Sequence, residues 1–251
     1  MRSTRARSIR DMTLLVAVII ALWQLLYWRV GDIAMRPPLE TVRYTVGMFA
    51  NEQFYGHLWE SMRAFAAALT IAVVTGLLVG LWLGFHRLSG DVLEPVLVAL
   101  YSIPKITLYP ILLLMFGIGI SAKIAFGAIH GIIPIALFTI TSVRNIKPVL
   151  VKTGRVMGLS TWSMFRTVLF PAAMPEIFTG LRLGFALTLI GTLLGEMFAS
   201  QRGLGYMLKT AIGLHNVDQI MGVTFLLVVF AAIVSGVLLG IDRRLHARAV
   251  G

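Results

Sequence analysis

Two of the ionisable side chains inside the long apolar stretches of this chain are of chemical interest. Lys105 sits between Pro104 and Pro110 in the stretch Val92–Phe116, and Glu196 lies late in the stretch Ile177–Phe198. A lysine at such a position is a functional hypothesis by default, an anion contact being one example. The competing reading is a stem that snorkels its charge to a nearby interface. Its stretch starts near Val92, which puts Lys105 near mid-depth and weakens the snorkelling reading. Glu196 can line a pathway, shape a gate, or pair with a basic neighbour at the interface. These two are the candidate pathway residues.

Other chemistries lack their parts. There is no cysteine, hence no disulfide, thiolate metal site or cysteine nucleophile. The five histidines, His57, His86, His130, His215 and His246, form no i, i+4 pair, which argues against a metal site. No paired carboxylates, histidine cluster or nucleophile constellation falls at one level, so an enzyme is not expected. No Gly-Lys dipeptide occurs, so the G-x-x-x-x-G-K-[ST] phosphate cradle is missing. Gly117-Ile118-Gly119-Ile120-Ser121-Ala122 fits G-x-G-x-x-A, but it lies at a turn between apolar stretches without a βαβ unit, and it is dismissed.

The elements that position these residues follow from composition. The chain has 251 residues, 58% hydrophobic and 13% charged. Its mean hydropathy is +0.87. Soluble domains carry about a quarter charged residues, so the bilayer is the expected solvent. A spanning helix needs roughly 20 apolar residues. Six stretches qualify: Thr13–Val30, Ala64–Phe85, Val92–Phe116, Lys123–Val143, Ile177–Phe198 and Ile220–Ile241. The expected fold is therefore an all-α polytopic bundle. Residues 1–63 would hold an N-terminal tail, the first span and an outer segment. Residues 64–245 would hold a core of five spans with an inside loop at 144–175. Pro104 and Pro110 are expected to bend or break the third span.

The net charge is +11. The basic residues sit between spans, and no groove-reading basic helix is visible, so the positive-inside bias accounts for the charge and no nucleic-acid partner is expected. Arg2, Arg5, Arg7, Arg10, Arg87, Arg144, Lys147, Lys152, Arg155, Arg166, Arg243, Arg244 and Arg248 fall on one side; Arg36, Arg43, Arg63, Arg202 and Lys209 fall on the other. Both termini are thus expected in the cytoplasm. No A-x-A-like cleavage site follows the first stretch, which reads as an uncleaved helix. The segment Gly31–Met62 is expected along the outer surface. Gly76, Gly80 and Gly84 repeat every four residues, as do Gly180 with Gly184 and Gly236 with Gly240. That spacing lets helices approach closely in lipid.

The inside loop is longer than a turn requires. It runs Lys152-Thr153-Gly154-Arg155-Val156-Met157-Gly158-Leu159-Ser160-Thr161-Trp162-Ser163-Met164-Phe165-Arg166-Thr167-Val168-Leu169-Phe170-Pro171. Two short helices broken near Gly158 fit it, with Ser160 as N-cap of the second. Trp162, Phe165, Val168 and Leu169 are expected to form one apolar face. Such an element can lie on a membrane surface or in a groove of a partner protein, and composition does not decide.

This loop resembles the EAA loop of the permeases of ATP-binding-cassette importers, whose pattern is E-A-A, three residues, G, nine residues, I-x-L-P. Gly154 and Gly158 have the required gap, and Val168, Phe170 and Pro171 fall in the I, L and P places. The triplet itself is degenerate, Lys152-Thr153-Gly154, with Lys152 where the family usually carries an acid. Ser102-Ile103-Pro104-Lys105 to Pro110 with Phe116-Gly117, Thr179-Gly180-Leu181-Arg182, Gly195-Glu196-Met197 and Gly203-Leu204-Gly205-Tyr206 resemble permeases for nitrate, sulfonates, taurine and pyrimidine precursors.

The resemblance implies a type I importer fold in a bacterial inner membrane. It implies a second permease copy, two ATPase subunits that hold the ATP and its magnesium, an extracytoplasmic solute-binding protein, and a small, anionic solute. Lys152, Thr153, Gly154, Arg155, Gly158, Trp162, Phe165 and Pro171 would then form the ATPase-coupling loop. A secondary transporter is the alternative, although few buried carboxylates and no inverted repeat are visible.

Overall fold

The fold is described from a computed structural model. Its backbone is described for residues 2–250 and its side chains for residues 10–198 and 200–246. The side chains of Arg2, Arg5, Arg7 and Arg248, part of the charge bias, lie outside the described residues.

All described secondary structure is helical. The order is α1 (Arg2–Val30), α2 (Pro38–Met48), α3 (Glu52–Phe85), α4 (Arg87–Ser102), a 3₁₀ turn (Lys105–Leu108), α5 (Tyr109–Phe116) and α6 (Ile120–Arg144). After it come α7 (Pro148–Val156), α8 (Thr161–Met164), a π turn (Phe165–Leu169), α9 (Phe170–Ala199), α10 (Leu204–Gly213) and α11 (Val217–Val250). Among the described residues five helices are long and apolar enough to cross a membrane, and six spans result when the bent pair Arg87–Ser102 and Lys105–Phe116 counts as one. The helices outrun the apolar stretches at most ends. Polar residues such as Glu52, Gln53 and His57 continue α3 beyond its hydrophobic part.

The third span bends by 90°. The break falls between Ser102 and Lys105, at Pro104. Pro110 behaves differently from expectation: it sits in the first turn of α5, where a missing N–H costs nothing.

The chain divides into two units, Met1–Gly56 with Met207–Val229, and His57–Tyr206 with Phe230–Gly251. In the first, the expected surface segment contains a true helix, α2. Its start is written in Pro37 as N-cap, Pro38 in the first turn and Glu40 beside the positive end of the helix dipole. Arg36 bonds Asp218 at 2.6 and 3.1 Å and Asp32 at 3.1 Å. The hydrogen bond that Arg36 donates to Asp218 raises its already high pKa. The buried Thr45 hydroxyl donates to Thr41 O at 2.7 Å and lies 3.3 Å from Gly222 O.

In the second unit, α6 packs along both α3 and α9. A Cβ at Gly76 would lie 2.8 Å from Ile135 Cβ, and one at Gly80 would lie 2.8 Å from Ala136 O. Gly180 and Gly184 face Phe138 and Ile135 in the same way. Small residues here replace side-chain layers with backbone contact, the arrangement that holds helices together where lipid removes the hydrophobic drive. Gly236 and Gly240 share the spacing, but a Cβ added at either would meet nothing within 4 Å. Spacing alone therefore overstated their packing. Phe65, Phe185 and Leu189 form a further core, with Phe65 edge-on to Phe185 at 5.2 Å and Phe230, Val234 and Leu238 against them.

Candidate functional site

The loop between α6 and α9 is built around a local turn. Gly158 has φ +68°, a conformation that favours glycine. Its N–H donates to Arg155 O at 3.0 Å, and Leu159 N–H donates to Gly154 O at 3.1 Å. This is the Schellman pattern, which satisfies the last carbonyls of α7 and turns the chain sharply. Gly154 is buried, and a Cβ there would stand 2.6 Å from the Met164 sulfur. Ser160 caps α8 by accepting the Ser163 N–H at 3.3 Å.

The apolar surface of this loop differs from the expected one. The π turn interrupts the helical period after Met164. Trp162 is 70% exposed, while Phe165, Val168 and Leu169 are half-buried. Phe165 stacks on Trp162 at 5.9 Å and touches Phe170 at 5.9 Å, so it supports Trp162 from behind. The most exposed apolar residues of the loop are Val156, Met157 and Trp162, and Val149 and Leu150 of α7 are exposed as well. Val156 and Met157 directly precede the turn glycine, a placement that sequence reasoning passed over. Lys152, Thr153, Arg155 and Arg166 are exposed around them, and Pro171 opens α9. No acidic residue occurs between Arg144 and Glu176.

Arg144 anchors the base of this loop. Its guanidinium meets Glu94 at 2.8 Å and Asp91 at 3.0 Å, both on α4. Gly90 leaves the room for it. A cleft of about 710 Å³ lies beside it, lined by Phe85, Arg87, Val143, Arg155 and Leu169 among others.

At the other end of α6 and α9 lies a buried polar network. Glu196 is fully buried. Its carboxylate lies 2.8 and 2.7 Å from the Ser61 hydroxyl and accepts the Gly205 N–H at 2.9 Å. Ser61 in turn accepts the Leu204 N–H at 2.7 Å. The carboxylate thus sits at the open N-terminal end of α10, where free N–H groups and the helix dipole favour a negative charge. Gly203 has φ +120°, and a Cβ there would collide with the Glu196 carboxylate. Lys123, 2% exposed, donates to Glu60 at 3.0 Å and to Arg202 O at 3.0 Å. His57 Nδ1 accepts the Gly203 N–H at 3.1 Å. Residues 202–205 are thereby tied to α3, α6 and α9. Ser61, Glu60 and Lys123 were not singled out by sequence; a lysine at the head of an apolar stretch was the available signal.

Lys105 begins the 3₁₀ turn at the bend. Its ammonium donates to Tyr101 O at 3.0 Å and lies 4.8 Å from the Tyr101 ring centroid. It does not meet Glu196, which belongs to the network just described.

Similarity to known proteins agrees with this geometry. A family model, described as the binding-protein-dependent transport system inner membrane component, matches residues 56–251. The chain is 28% identical over 200 residues to the putative aliphatic sulfonates transport permease protein SsuC of Bacillus subtilis, covering 79% of this chain and 72% of that one. It is 26% identical over 241 residues to the taurine transport system permease protein TauC of Escherichia coli, covering 92% and 86%. Among solved structures, the MetNI methionine ABC transporter in inward-facing conformations superposes with a TM-score of 0.63 at 22% identity, covering 74% of this chain and 93% of that one. At that identity the likeness concerns the fold, which is that of a type I importer permease.

Proposed function

Because the chain belongs to the family of binding-protein-dependent transport system inner membrane components, we propose that it moves a small anionic solute inward, powered by ATP hydrolysis on a separate subunit. The observation that carries this reading is the loop between α6 and α9. A rigid glycine turn presents Val156, Met157 and Trp162 to the surroundings, braced by Phe165 and ringed by basic side chains. Exposed apolar residues on a tightly capped loop fit a protein groove better than a surface exposed to water.

In this reading the termini and the α6–α9 loop face the cytoplasm, as the basic residues suggest. Lys152, Thr153, Gly154, Arg155, Gly158, Trp162, Phe165 and Pro171 form the docking loop, with Val156 and Met157 added. ATP draws two ATPase subunits together. The loop passes that movement to α6 and α9 as a rigid-body shift, and the pathway opens alternately to each side. Each ligand shifts this equilibrium only by its differential affinity for the two packings. A second copy of the chain completes the pathway, and a soluble binding protein delivers the solute to the face that holds the Glu196 network. The sulfonate and taurine permeases among its relatives support the anionic class of solute.

The test is ATP hydrolysis in lipid by this chain alone and with a co-expressed cassette ATPase. Hydrolysis coupled to uptake that needs both chains, and that falls with Trp162→Ala, is the expected result. Uptake driven by a proton or sodium gradient with no ATPase bound would overturn the reading.

A further inference from the structure

Every other basic side chain that the second unit holds within its spans at partial burial or more meets a carboxylate. Lys123 meets Glu60, Arg144 meets Asp91 and Glu94, and Arg182 meets Asp242 at 3.6 Å. Lys105 is the exception among the described residues: it has a backbone carbonyl and a ring face for partners and no acid. An uncompensated cation inside a span is costly, and such groups mark ligand paths when the fold retains them.

The surroundings of Lys105 place it at the depth of a histidine. Tyr109, one turn further along, lies edge-on to Phe126 at 4.8 Å and bonds Gly195 O at 2.6 Å. Phe126 lies edge-on to His130 at 4.6 Å. The step from Tyr109 back to Lys105 and the step from Phe126 on to His130 are each four residues, so the ring contacts that set Tyr109 level with Phe126 bring Lys105 toward the level of His130. His130 is near the middle of α6 and abuts Gly191 of α9. Its Nδ1 lies 2.8 Å from Phe126 O and must donate there, since a carbonyl only accepts. In the neutral ring Nε2 is then left as an acceptor.

We infer that Lys105 and His130 flank a mid-membrane subsite for a small anion that also carries an N–H or O–H donor. Lys105 supplies the positive charge for the anionic head. His130 Nε2 accepts from the donor group. The inference rests on the permease reading and narrows its solute class. An amino- or hydroxy-substituted sulfonate or carboxylate has both features.

The absence of cysteine makes the test direct, because an introduced thiol is the only one in the chain. The permease with its ATPase is prepared in membrane vesicles as His130→Cys. It is treated with a sulfonate-bearing and a trimethylammonium-bearing methanethiosulfonate, and the mass of the permease chain is followed. The anionic reagent should react about tenfold faster or more, the order set by one nearby unit charge at an effective dielectric constant of about 20. Adding Lys105→Gln should abolish that bias. A thiol that neither reagent modifies, or one that both modify equally, overturns the site. In the same vesicles taurine should slow modification of Ser102→Cys, at the break three residues before Lys105, more than ethanesulfonate, which lacks the amine, and His130→Leu should erase the difference. Equal effects of the two compounds remove the acceptor role of His130. Hydrolysis of ATP by the complex is read separately, so a coupled transporter without charge bias would overturn this subsite and leave the permease reading standing.

Discussion

The Ser61 hydroxyl lies 2.7 and 2.8 Å from the two oxygens of Glu196, across 135 residues of sequence, and it accepts the Leu204 N–H at 2.7 Å at the same time. One hydroxyl therefore links α3 to α9 and to the first turn of α10. Glu196 completes the arrangement by accepting the Gly205 N–H. A buried carboxylate in this position acts as a helix cap supplied from a distant part of the chain.

Replacing Glu196 should therefore reduce stability before it affects anything else. Glu196→Ala strands two buried donors, the Ser61 hydroxyl and the Gly205 N–H, for a loss of about 3 kcal/mol. Glu196→Gln keeps an acceptor and should lose about 1 kcal/mol. Denaturant unfolding in detergent followed by helical signal separates the two. Equal stability of Glu196→Ala and the parent would rule out the capping role and return the residue to the pathway reading.

The pair Lys123 and Glu60 makes a second prediction at the same end. Lys123 is 2% exposed, so its removal leaves Glu60 without its buried cation. Lys123→Met alone should cost about 3 kcal/mol or more, and Lys123→Met with Glu60→Gln should recover a good part of it. The double-mutant cycle on unfolding free energy measures the coupling. Strictly additive losses would show that the two charges act independently.

These networks explain which parts of the molecule were legible in advance. The spans were, because an apolar run of the right length has few other destinations in lipid. Their ends were not: α3 runs back to Glu52 through residues that hydrogen bonds with α6, α9 and residues 202–205 hold in place, and hydropathy does not register such partners. The turn at Gly158 and the cap at Ser160 were legible because they are closed by neighbours three to five residues away. Glu196 was visible as unusual, but its partner Ser61 is distant in sequence. The π turn after Met164 left no local signal, and it breaks the helical period on which the expected face of Trp162, Phe165, Val168 and Leu169 was read.

The glycine rows give a paired prediction. At Gly80 an added methyl would stand 2.5 Å from Thr139 Cβ and 2.8 Å from a backbone oxygen of α6, so α3 and α6 must part. Gly80→Ala should cost about 1–3 kcal/mol, as overpacking does. Gly236→Ala has identical spacing in the sequence and open space around it. It should change stability by less than about 0.5 kcal/mol. Comparing unfolding midpoints of the monomeric chain in detergent tests both. A similar loss at both positions would show that helix propensity or lipid contact, and not the α3–α6 approach, sets the effect.

The loop between α6 and α9 yields the prediction closest to function. Trp162 is 70% exposed and α8 is short, so Trp162→Ala should leave the unfolding midpoint of the isolated chain unchanged. If Trp162 fills a groove on the ATPase, the same change should weaken the complex by about 2 kcal/mol, roughly thirtyfold in dissociation constant. Gly158→Val has the opposite character: it buries nothing, but it forces a branched residue to φ +68° and should cost about 1–2 kcal/mol in the loop itself. Lys152→Glu reverses the charge at an exposed position of the loop. With no acidic residue between Arg144 and Glu176, the loop is uniformly basic, and the reversal should lower association with a groove of acidic rim. Titrating the ATPase onto the permease in nanodiscs at two salt concentrations measures all three. A Lys152→Glu chain that binds as the parent does at both salts would remove that position from the contact, and an unaffected Trp162→Ala chain would move the docking surface elsewhere on the molecule.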